Sequence, residues 1–310
     1  MNEAEPVRDC WFLTGATAVG KSQVGLALAR QLGAEIISLD SMAIYRGMDI
    51  GTAKPTLAEQ AEVPHHIIDI VDPSEDYSIE RYLAAAQAAI ADIKSRNREV
   101  LFVGGTPLYL KALLRGMSSG PPADWQMRDE IAAEVALVGN DALYERLEQL
   151  DPLAASLIHP HDMRRLIRAL EVFRTTGSPI SHEQLHFDQG TLADDCRVFV
   201  LRRPREEQHA RINERVEQMF VRGLIDEVKQ LTADGKQLGR TASQAVGYQE
   251  VIEHLAGGDY DKMVAKIKTR TRRFAKRQGT WFRSLCECRF VDIEGEVDAE
   301  AVASQIAKSA

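Results

Sequence analysis

The stretch that decides the fold is Trp11-Phe12-Leu13-Thr14-Gly15-Ala16-Thr17-Ala18-Val19-Gly20-Lys21-Ser22. Its first residues are apolar and predict a buried strand, and Gly15 to Ser22 fit the phosphate-loop pattern G-x-x-x-x-G-K-[ST] in full. Apolar residues at helical spacing follow from Gln23 to Leu32, and Gly33 fits a helix C-cap. A strand that runs through such a loop into a helix is the context that separates a functional phosphate loop from a chance match.

The loop predicts a binding site for a polyphosphate. Its glycines let backbone N–H groups turn toward phosphate oxygens, and the helix N-terminus adds partial positive charge. Lys21 supplies a point charge, and the Ser22 hydroxyl can ligate Mg²⁺. The candidate binding residues are Gly15, Ala16, Thr17, Ala18, Val19, Gly20, Lys21 and Ser22. The pattern alone does not say which polyphosphate binds.

Strands alternate with helices along the chain that follows this loop. Short apolar runs at Glu35–Leu39 and Val100–Val103 predict further strands, Ile67–Val71 predicts an extended segment, and the Ala-rich run Ser78–Arg96 predicts a helix. A strand pattern returns at Arg197–Leu201. We therefore predict an α/β fold that resembles the P-loop NTPases, with a parallel sheet core flanked by helices.

A helical insertion interrupts this α/β pattern. The alternation of strands and helices stops at Gly120-Pro121-Pro122. The sequence of residues 124–186 predicts helices with polar faces and contains no convincing strand pattern. The predicted domains are a core made of residues 1–119 and 195–310, and an all-helical insertion domain of residues 120–194. From Glu206 onward the core is predicted to be mostly helical.

The composition is that of an ordinary globular protein. The chain has 310 residues, 45% of them hydrophobic, and a formal net charge of -8, so a nucleic-acid partner would have to meet a local basic face. No apolar run approaches the ~18–20 residues of a membrane span, and the N-terminus lacks a signal-peptide core. The four cysteines lack zinc-site spacing. We expect a cytoplasmic protein with reduced thiols and no membrane partner.

The acidic residue that accompanies the phosphate loop is predicted to be Asp40. Nucleotide hydrolases and kinases place a metal-binding or water-positioning carboxylate at the end of a neighbouring strand. The strand at Val100–Val103 ends in Gly104-Gly105-Thr106, without a carboxylate, whereas Glu35–Leu39 ends in Asp40. Asp40 is therefore expected to act either as a metal partner or as a base.

Several longer motifs are more specific than the loop. They are the segment DSMAIYRGMDIGTAKP at 40–55, Pro64-His65-His66 with Asp69 to Pro73, Val103 to Thr106, His159 to Val172, Val246-Gly247-Tyr248, Ala275 to Gln278 and Thr280 to Arg283. In this order they resemble the tRNA dimethylallyltransferase family in its bacterial form, and the resemblance runs from about residue 11 to 283. Ala16 stands where the family often has Pro, a change that leaves the amide cradle intact.

The resemblance implies both substrates and a reaction. The loop would hold dimethylallyl diphosphate, and the exocyclic N6 amine of an adenine next to the tRNA anticodon would attack the allylic carbon, with Mg²⁺ as the cofactor. It further implies that Asp40 is the general base, that Thr106 contacts the target nucleotide and that Arg215 clamps the diphosphate. An amine that loses a proton as the new bond forms calls for a nearby carboxylate, which agrees with the role of Asp40.

Two basic faces could meet the RNA. One lies at His159–Arg174, and the other at Lys262–Arg283, which carries nine Lys or Arg and no Asp or Glu. On a helical reading Ile267, Phe274 and Trp281 form an apolar stripe predicted to face the core, beside a basic stripe of Lys266, Arg270, Arg273 and Arg277. Such a helix would bury one face and offer the other to phosphates.

The tRNA-contacting candidates follow from the resemblance together with these faces. They are Asp40, Ser41, Met42, Ala43, Thr106, Arg128, Arg164, Arg165, Leu166, Ile167, Arg168, Gln244, Lys276 and Arg277. The segment around Gln244 lacks arginines that are common in the family. The expected partner is the tRNA anticodon stem-loop, and a monomer would suffice for the reaction.

Three other functions share some of these features. A small-molecule or nucleotide kinase shares the loop but does not explain the 40–55 segment. A prenyltransferase acting on free adenine nucleotides shares the chemistry but needs neither an insertion nor a second basic face. An RNA-binding module with an inactive loop would not need Lys21, Ser22 and Asp40 together.

Overall fold

Within the residues that the structure describes, six strands form a single parallel sheet. The computed structural model describes residues 6–7, 9–117, 120–182 and 196–309. The strands are β1 (Trp11–Gly15), β2 (Ala34–Leu39), β3 (His65–His66), β4 (Glu99–Gly104), β5 (Arg197–Arg202) and β6 (Arg289–Asp292). Their order across the sheet is β3-β2-β4-β1-β5-β6, and every pairing is parallel. The predicted return of the chain to the sheet at Arg197 is confirmed.

In the described chain, helices lie between consecutive strands and after β6. They are α1 (Lys21–Leu32), α2 (Leu57–Glu62), α3 (Ile79–Ser95), α4 (Pro107–Arg115), α5 (Trp125–Val138), α6 (Asn140–Leu150), α7 (Pro152–Leu157), α8 (Met163–Thr176), α9 (Arg205–Val221), α10 (Leu224–Leu231), α11 (Tyr248–Leu255), α12 (Tyr260–Arg283) and α13 (Ala299–Lys308). No helix in the described ranges is long and apolar enough to cross a membrane.

The chain divides into two compact units. One contains the sheet and comprises Val7–Lys111 and Leu192–Ala310, and the other includes Ala112–Thr191. In the first unit α1 and α13 pack on one face of the sheet around an apolar core that includes Leu13, Val24 and Ile306. Because all strands are parallel, their carboxyl ends meet at one edge, where open α/β sheets bind ligands.

The second unit has a helical core of its own. Buried side chains from α5, α6, α7 and α8 form it, among them Ile131, Leu147, Ala155 and Leu170. Side-chain caps begin three of these helices, with Asp124, Asp151 and Asp162 accepting backbone N–H bonds. The predicted domain boundary at residues 194 and 195 lies outside the described residues, and the domain limits stay a prediction.

Local signals placed most elements correctly. Gly33 ends α1 in the left-handed conformation, and Ser78 accepts a backbone N–H bond at the start of α3. The extended segment predicted for Ile67–Val71 is wrong, since the strand is His65–His66 and the chain then turns with positive φ at Ile67 and Asp69. This run pairs with the loop at residues 43–46 through Ile70 N–H to Ile44 O instead of continuing the sheet.

Strand β6 was not predicted. The mostly helical pattern expected after Glu206 is confirmed, but the edge strand Arg289–Asp292 interrupts it. Of its four residues only Val291 is buried, and only Phe290 and Val291 are apolar. A run this short gives no periodic signal, and its pairing with β5 is set by the tertiary fold.

Candidate active site

The phosphate loop joins β1 to α1 at the carboxyl edge of the sheet. Gly15, Ala18 and Gly20 all have positive φ, which curls the backbone around the helix N-terminus. A Cβ at Gly15 would lie 2.4 Å from the Leu201 carbonyl oxygen of the neighbouring strand, so only glycine fits there. The first N–H groups of α1 have no partner within the helix and are suited to an anion.

Lys21 is folded back over this loop. Its Nζ donates a hydrogen bond to the Ala16 carbonyl oxygen at 2.8 Å. Burial and the nearby positive charge of Arg215 lower the pKa of Lys21 to about 7, although the carboxylate of Asp40 acts in the opposite direction. Two cations and one carboxylate therefore lie within electrostatic reach of one another beside the loop.

Asp40 follows β2 directly, and its carboxylate is held by the backbone. Oδ1 accepts N–H bonds from Met42 at 2.8 Å and from Ala43 at 3.4 Å. The Thr106 hydroxyl oxygen accepts the Ser41 N–H at 3.1 Å, and Thr106 N–H donates to Leu39 O at 3.1 Å. These bonds join the ends of β2 and β4.

Helix α9 presents three polar side chains toward the loop and the 40–55 segment. Gln208 Nε2 donates to Thr17 O at 3.0 Å, and Arg211 Nε donates to Ala18 O at 3.1 Å. Arg215 reaches the Thr52 carbonyl oxygen at 3.5 Å. Sequence reasoning found only Arg215. The spacing of three and four residues places all three on one helix face and is the signal that could have revealed the others.

Burial and charge also act on Arg215. Desolvation lowers the pKa of this guanidinium, whereas the carboxylate of Asp40 raises it. An arginine held close to a lysine in a poorly solvated place is suited to an added anion, since the anion would relieve the repulsion between the two cations.

The 40–55 segment is fixed by a buried lysine. Lys54 Nζ donates to the Tyr45 carbonyl oxygen at 2.6 Å and to Asp49 Oδ1 at 2.6 Å, and it also pairs with Asp69. Its side chain is 3% exposed, whereas the two carboxylates are about half exposed. Lys54 therefore ties the end of the 40–55 segment to its middle and to the turn that follows β3.

Glu227 of α10 holds the same segment from the other side. Its carboxylate accepts backbone N–H bonds from Asp49, Ile50 and Gly51 at 3.0, 2.7 and 3.3 Å. It also accepts the Tyr248 hydroxyl at 2.6 Å. A Cβ at Gly51 would lie 2.3 Å from the Tyr248 ring. Two distant sequence motifs, at 40–55 and 246–248, are thus parts of one packed arrangement.

Replacing Lys54 by methionine is expected to lower the free energy of unfolding by about 2 kcal/mol, because a buried carbonyl and two carboxylates lose their shared donor. The half-exposed carboxylates can rehydrate, which keeps the loss below that of a fully buried pair. Urea denaturation measures the change. Lys229→Met, in an exposed pair with Asp226, is the matched control and is expected to have almost no effect. Equal losses in both variants would contradict the role given to Lys54.

Within the helical unit, two predicted RNA contacts share one buried carboxylate. Glu171 accepts bonds from Arg128 Nη2 at 2.9 Å, from Arg168 Nη1 at 2.7 Å and from Asp124 N–H at 2.7 Å. Burial alone would raise the pKa of Glu171, but these hydrogen bonds lower it overall. Arg168 also donates to Pro121 O at 2.8 Å. Both arginines are thereby held in fixed directions.

The other candidates of this unit differ in exposure. Arg164 and Arg165 are exposed, and Arg165 pairs with Asp162 at 2.6 Å. Ile167 is half-buried. Leu166 is fully buried in the helical core, so its side chain faces away from any RNA surface.

The apolar stripe predicted on α12 is wrong. Ile267 is buried, but Phe274 and Trp281 are each 39% exposed. The helix instead buries Met263, Ile267, Ala275, Gln278 and Phe282. On a straight helix Phe274 and Trp281 lie at nearly the same angle as Met263, so the packed side turns toward Ala275, Gln278 and Phe282 in the second half of α12.

The basic stripe on α12 is partly neutralised by acids from neighbouring helices. Lys266 pairs with Glu253, and Arg270 pairs with the buried Glu250 of α11. The sequence of α12 alone could not show these partners. Arg273, Lys276 and Arg277 are exposed, as is Gln244 in a short turn before α11. A cavity of about 610 Å³ is lined by Ala265, Lys266, Thr269, Arg270, Arg273 and Arg277.

Hard oxygen donors at the loop suit a magnesium ion. Ser22 is exposed in the first turn of α1, and Asp40 stands at the end of β2, which β4 separates from β1 in the sheet. Among the described residues no group of three or more His, Cys, Asp or Glu could hold a metal by itself. The donor set therefore fits an ion that shares its ligands with bound phosphates, as Mg²⁺ usually does.

This loop, with an acidic strand end beside it, defines a phosphate-loop α/β protein. Within that class the chain belongs to the IPP transferase family, whose model matches residues 43–285. It is 49% identical over 290 residues to a tRNA dimethylallyltransferase of Rhodopirellula baltica, covering 91% of this chain and 87% of that protein. A tRNA dimethylallyltransferase of Pelotomaculum thermopropionicum is 44% identical and covers 99% and 97%.

Solved structures give the same result. A tRNA isopentenylpyrophosphate transferase of Bacillus halodurans has 38% identity and a TM-score of 0.69, and the match covers 97% of this chain and 96% of that one. A eukaryotic dimethylallyltransferase, described as acting on tRNA, has 29% identity and a TM-score of 0.79 and covers 97% and 78%. The predicted fold class and family are confirmed.

Proposed function

We propose that this protein transfers a dimethylallyl group from dimethylallyl diphosphate to N6 of the adenine on the 3′ side of a tRNA anticodon. The observation that carries the proposal is the placement of Asp40 within electrostatic reach of Lys21 and Arg215. A carboxylate base beside a diphosphate cradle is what the alkylation of an amine requires. Membership of the IPP transferase family favours alkyl transfer over phosphoryl transfer.

The donor half of the reaction uses the loop and α9. The diphosphate would occupy the cradle Gly15–Ser22, where Lys21, Arg215 and the first amides of α1 oppose its negative charge. Charge grows on the diphosphate as the allylic C–O bond breaks, so these groups stabilise the transition state more than the ground state. Mg²⁺, held by Ser22, would add further neutralisation when bound.

The acceptor half uses the ends of β2 and β4. As the new N6–C bond forms, one proton leaves the amine, and Asp40 is placed to accept it while diphosphate departs. Hydrogen bonds from Met42 and Ala43 keep Oδ1 in a fixed direction. Thr106, tied to Ser41, is proposed to contact the target nucleotide with Ser41, Met42 and Ala43.

The RNA-binding surfaces are proposed from exposure and charge. Exposed Arg273, Lys276 and Arg277 share the surface of α12 with exposed Phe274 and Trp281, a combination that binds phosphates and stacks unpaired bases. In the helical unit Arg128, Arg164, Arg165 and Arg168 supply further positive charge, with Ile167 and the backbone of Leu166 beside them. Gln244 is a weaker candidate. The anticodon stem-loop must release its adenine from the stack to be modified.

The remaining alternatives have less support. A kinase would use ATP at the same loop, but it gives no reason for the arrangement of Lys54, Glu227 and Tyr248 around the 40–55 segment. We further infer that a monomer is the working unit and that it acts in the cytoplasm, where its proposed tRNA substrate is available.

The deciding experiment incubates the protein with Mg²⁺, labelled dimethylallyl diphosphate and unmodified tRNA whose anticodon is followed by adenine. Parallel reactions contain AMP as acceptor, or ATP in place of the prenyl donor. Label is expected in the tRNA and at the N6 position of that adenine. Label in AMP alone would mean that the acceptor is a free adenine nucleotide and not tRNA. ATP consumption without prenyl transfer would overturn the proposal in favour of a kinase.

A further inference from the structure

A buried amide on α12 connects the phosphate loop to the turn after β4. Gln278 is 4% exposed, although it lies next to the exposed Arg277 on the most basic helix of the chain. Its Oε1 accepts the Thr17 N–H at 2.9 Å, and its Nε2 donates to the Gly105 carbonyl oxygen at 2.5 Å. One side chain thus bonds to both segments that the proposed reaction needs.

The chemistry of the contact requires a carboxamide. The backbone offers a donor at Thr17 and an acceptor at Gly105, and only a group with both functions satisfies the two at once. A leucine of similar size would leave both backbone groups buried without partners. A glutamate could accept from Thr17 but would place a second oxygen against the Gly105 carbonyl.

Gly105 is shaped to receive this amide. A Cβ at that position would lie 2.7 Å from Gln278 Nε2, 3.2 Å from the Gly15 carbonyl oxygen and 3.6 Å from Lys21 Nζ. The absence of a side chain at Gly105 therefore lets the turn, the loop and α12 approach one another closely. Thr106, the next residue, is tied to the segment that follows Asp40.

We propose that Gln278 is a positioning residue that holds the first half of the phosphate loop at a fixed distance from the turn carrying Thr106. The inference rests on the proposed function and deepens it. Thr17 belongs to the proposed binding site of the prenyl donor, and Thr106 belongs to the proposed binding site of the target nucleotide. Gln278 therefore sets the spacing between the two substrates. Lys276 and Arg277 of the same helix are exposed. RNA bound to the exposed face of α12 would therefore contact the helix whose buried face holds the phosphate loop.

Variants at Gln278 separate this role from a general loss of folding. Gln278→Leu is expected to lower kcat by about 100-fold, because reacting atoms tolerate little misplacement, while the affinity for tRNA stays within about twofold. It should also weaken the binding of inorganic pyrophosphate, measured by calorimetry, by about tenfold, because the loop is no longer pre-organised. Gln230→Leu, an exposed glutamine on α10, is the matched control and should change neither quantity.

The pH profile of Gln278→Glu is the most specific readout. A protonated glutamic acid regains a donor for Gly105 while its carbonyl accepts from Thr17, and burial raises its pKa above the usual ~4.3, although Lys21 beside Gly105 acts in the opposite direction. Relative to the wild type, Gln278→Glu should recover activity as the pH falls, whereas the ratio for Gln278→Leu stays flat. A merely structural role would not produce this difference between the two variants. Gln278→Met replaces the leucine variant if the latter does not fold.

The outcomes distinguish the inference from the proposed function. If the wild type modifies tRNA and Gln278→Leu keeps its kcat, the positioning role is overturned and the proposed function stands. Parallel pH profiles for the leucine and glutamate variants would also overturn it. If the wild type fails to modify tRNA, the proposed function fails, and unchanged pyrophosphate binding in Gln278→Leu then overturns the loop-positioning role separately.

Discussion

Replacement of Asp40 by asparagine is expected to lower kcat for prenyl transfer by about 10²–10⁴-fold, the range that general-base catalysis contributes. The expectation follows from the position of this carboxylate at the end of β2, beside Lys21 and Arg215. Asparagine keeps an oxygen that can accept the Met42 N–H, so the local turn should survive. The affinity for tRNA should remain nearly unchanged, and single-turnover kinetics with labelled donor measure the chemical step directly.

Asp72 provides the matched control for this substitution. Its carboxylate accepts the Ser74 N–H at 2.9 Å two residues ahead, the same local turn that Asp40 makes with Met42. Asp72→Asn should therefore leave kcat unchanged. If Asp40→Asn retained wild-type kcat, Asp40 would be a capping residue and another group would have to accept the amine proton. A parallel loss in Asp72→Asn would show that turn geometry is being measured in both variants.

The parts of the site that lie within one local motif could be predicted from the sequence. The phosphate loop can be recognised from the sequence because its glycines, lysine and serine lie close together in the chain and follow an apolar strand. Asp40 could be located because parallel strands bring their carboxyl ends to one edge. The phosphate loop is a local sequence pattern, and the position of Asp40 follows from the general geometry of parallel sheets. Neither prediction needs knowledge of a particular tertiary contact.

Contacts between distant segments could not be predicted in the same way. Glu227 lies far along the chain from the backbone it binds at residues 49–51, and its sequence surroundings show only an ordinary helix. Gln208 and Arg211 similarly meet the phosphate loop through tertiary folding. Ile67–Val71 looks like a strand because it is apolar, but bonds to residues 43–46 and the pairing of Lys54 with Asp69 bend it.

Helix α12 shows why hydrophobicity alone misplaced a helix face. Its buried surface includes the small Ala275 and the polar Gln278, because the phosphate loop approaches there and needs space and a hydrogen-bond partner. Phe274 and Trp281 are more apolar but lie partly exposed. A position that departs from the usual hydrophobic pattern is often a functional one. On α12 that position is the buried polar residue Gln278.

Lys21→Met is expected to reduce kcat/KM for the prenyl donor by about 10³-fold, because a charge that opposes the departing diphosphate is lost from a poorly solvated site. Methionine keeps most of the apolar stem, so the fold should be preserved. The wild-type lysine has a pKa lowered to about 7, because of burial and the nearby Arg215. It is therefore mostly protonated below that pH and mostly neutral above it in the empty site.

This pKa gives the substitution a pH signature. Diphosphate is expected to bind the protonated form of Lys21, so the affinity of the wild type for inorganic pyrophosphate should weaken as the pH rises through about 7. Lys21→Met lacks the titrating group, and its affinity should change only with the ionisation of pyrophosphate itself. The advantage of the wild type over the variant should thus shrink between about pH 6 and pH 8, measured by calorimetry. Parallel profiles would mean that Lys21 keeps its charge across this range, held by Asp40 more strongly than burial and Arg215 oppose it.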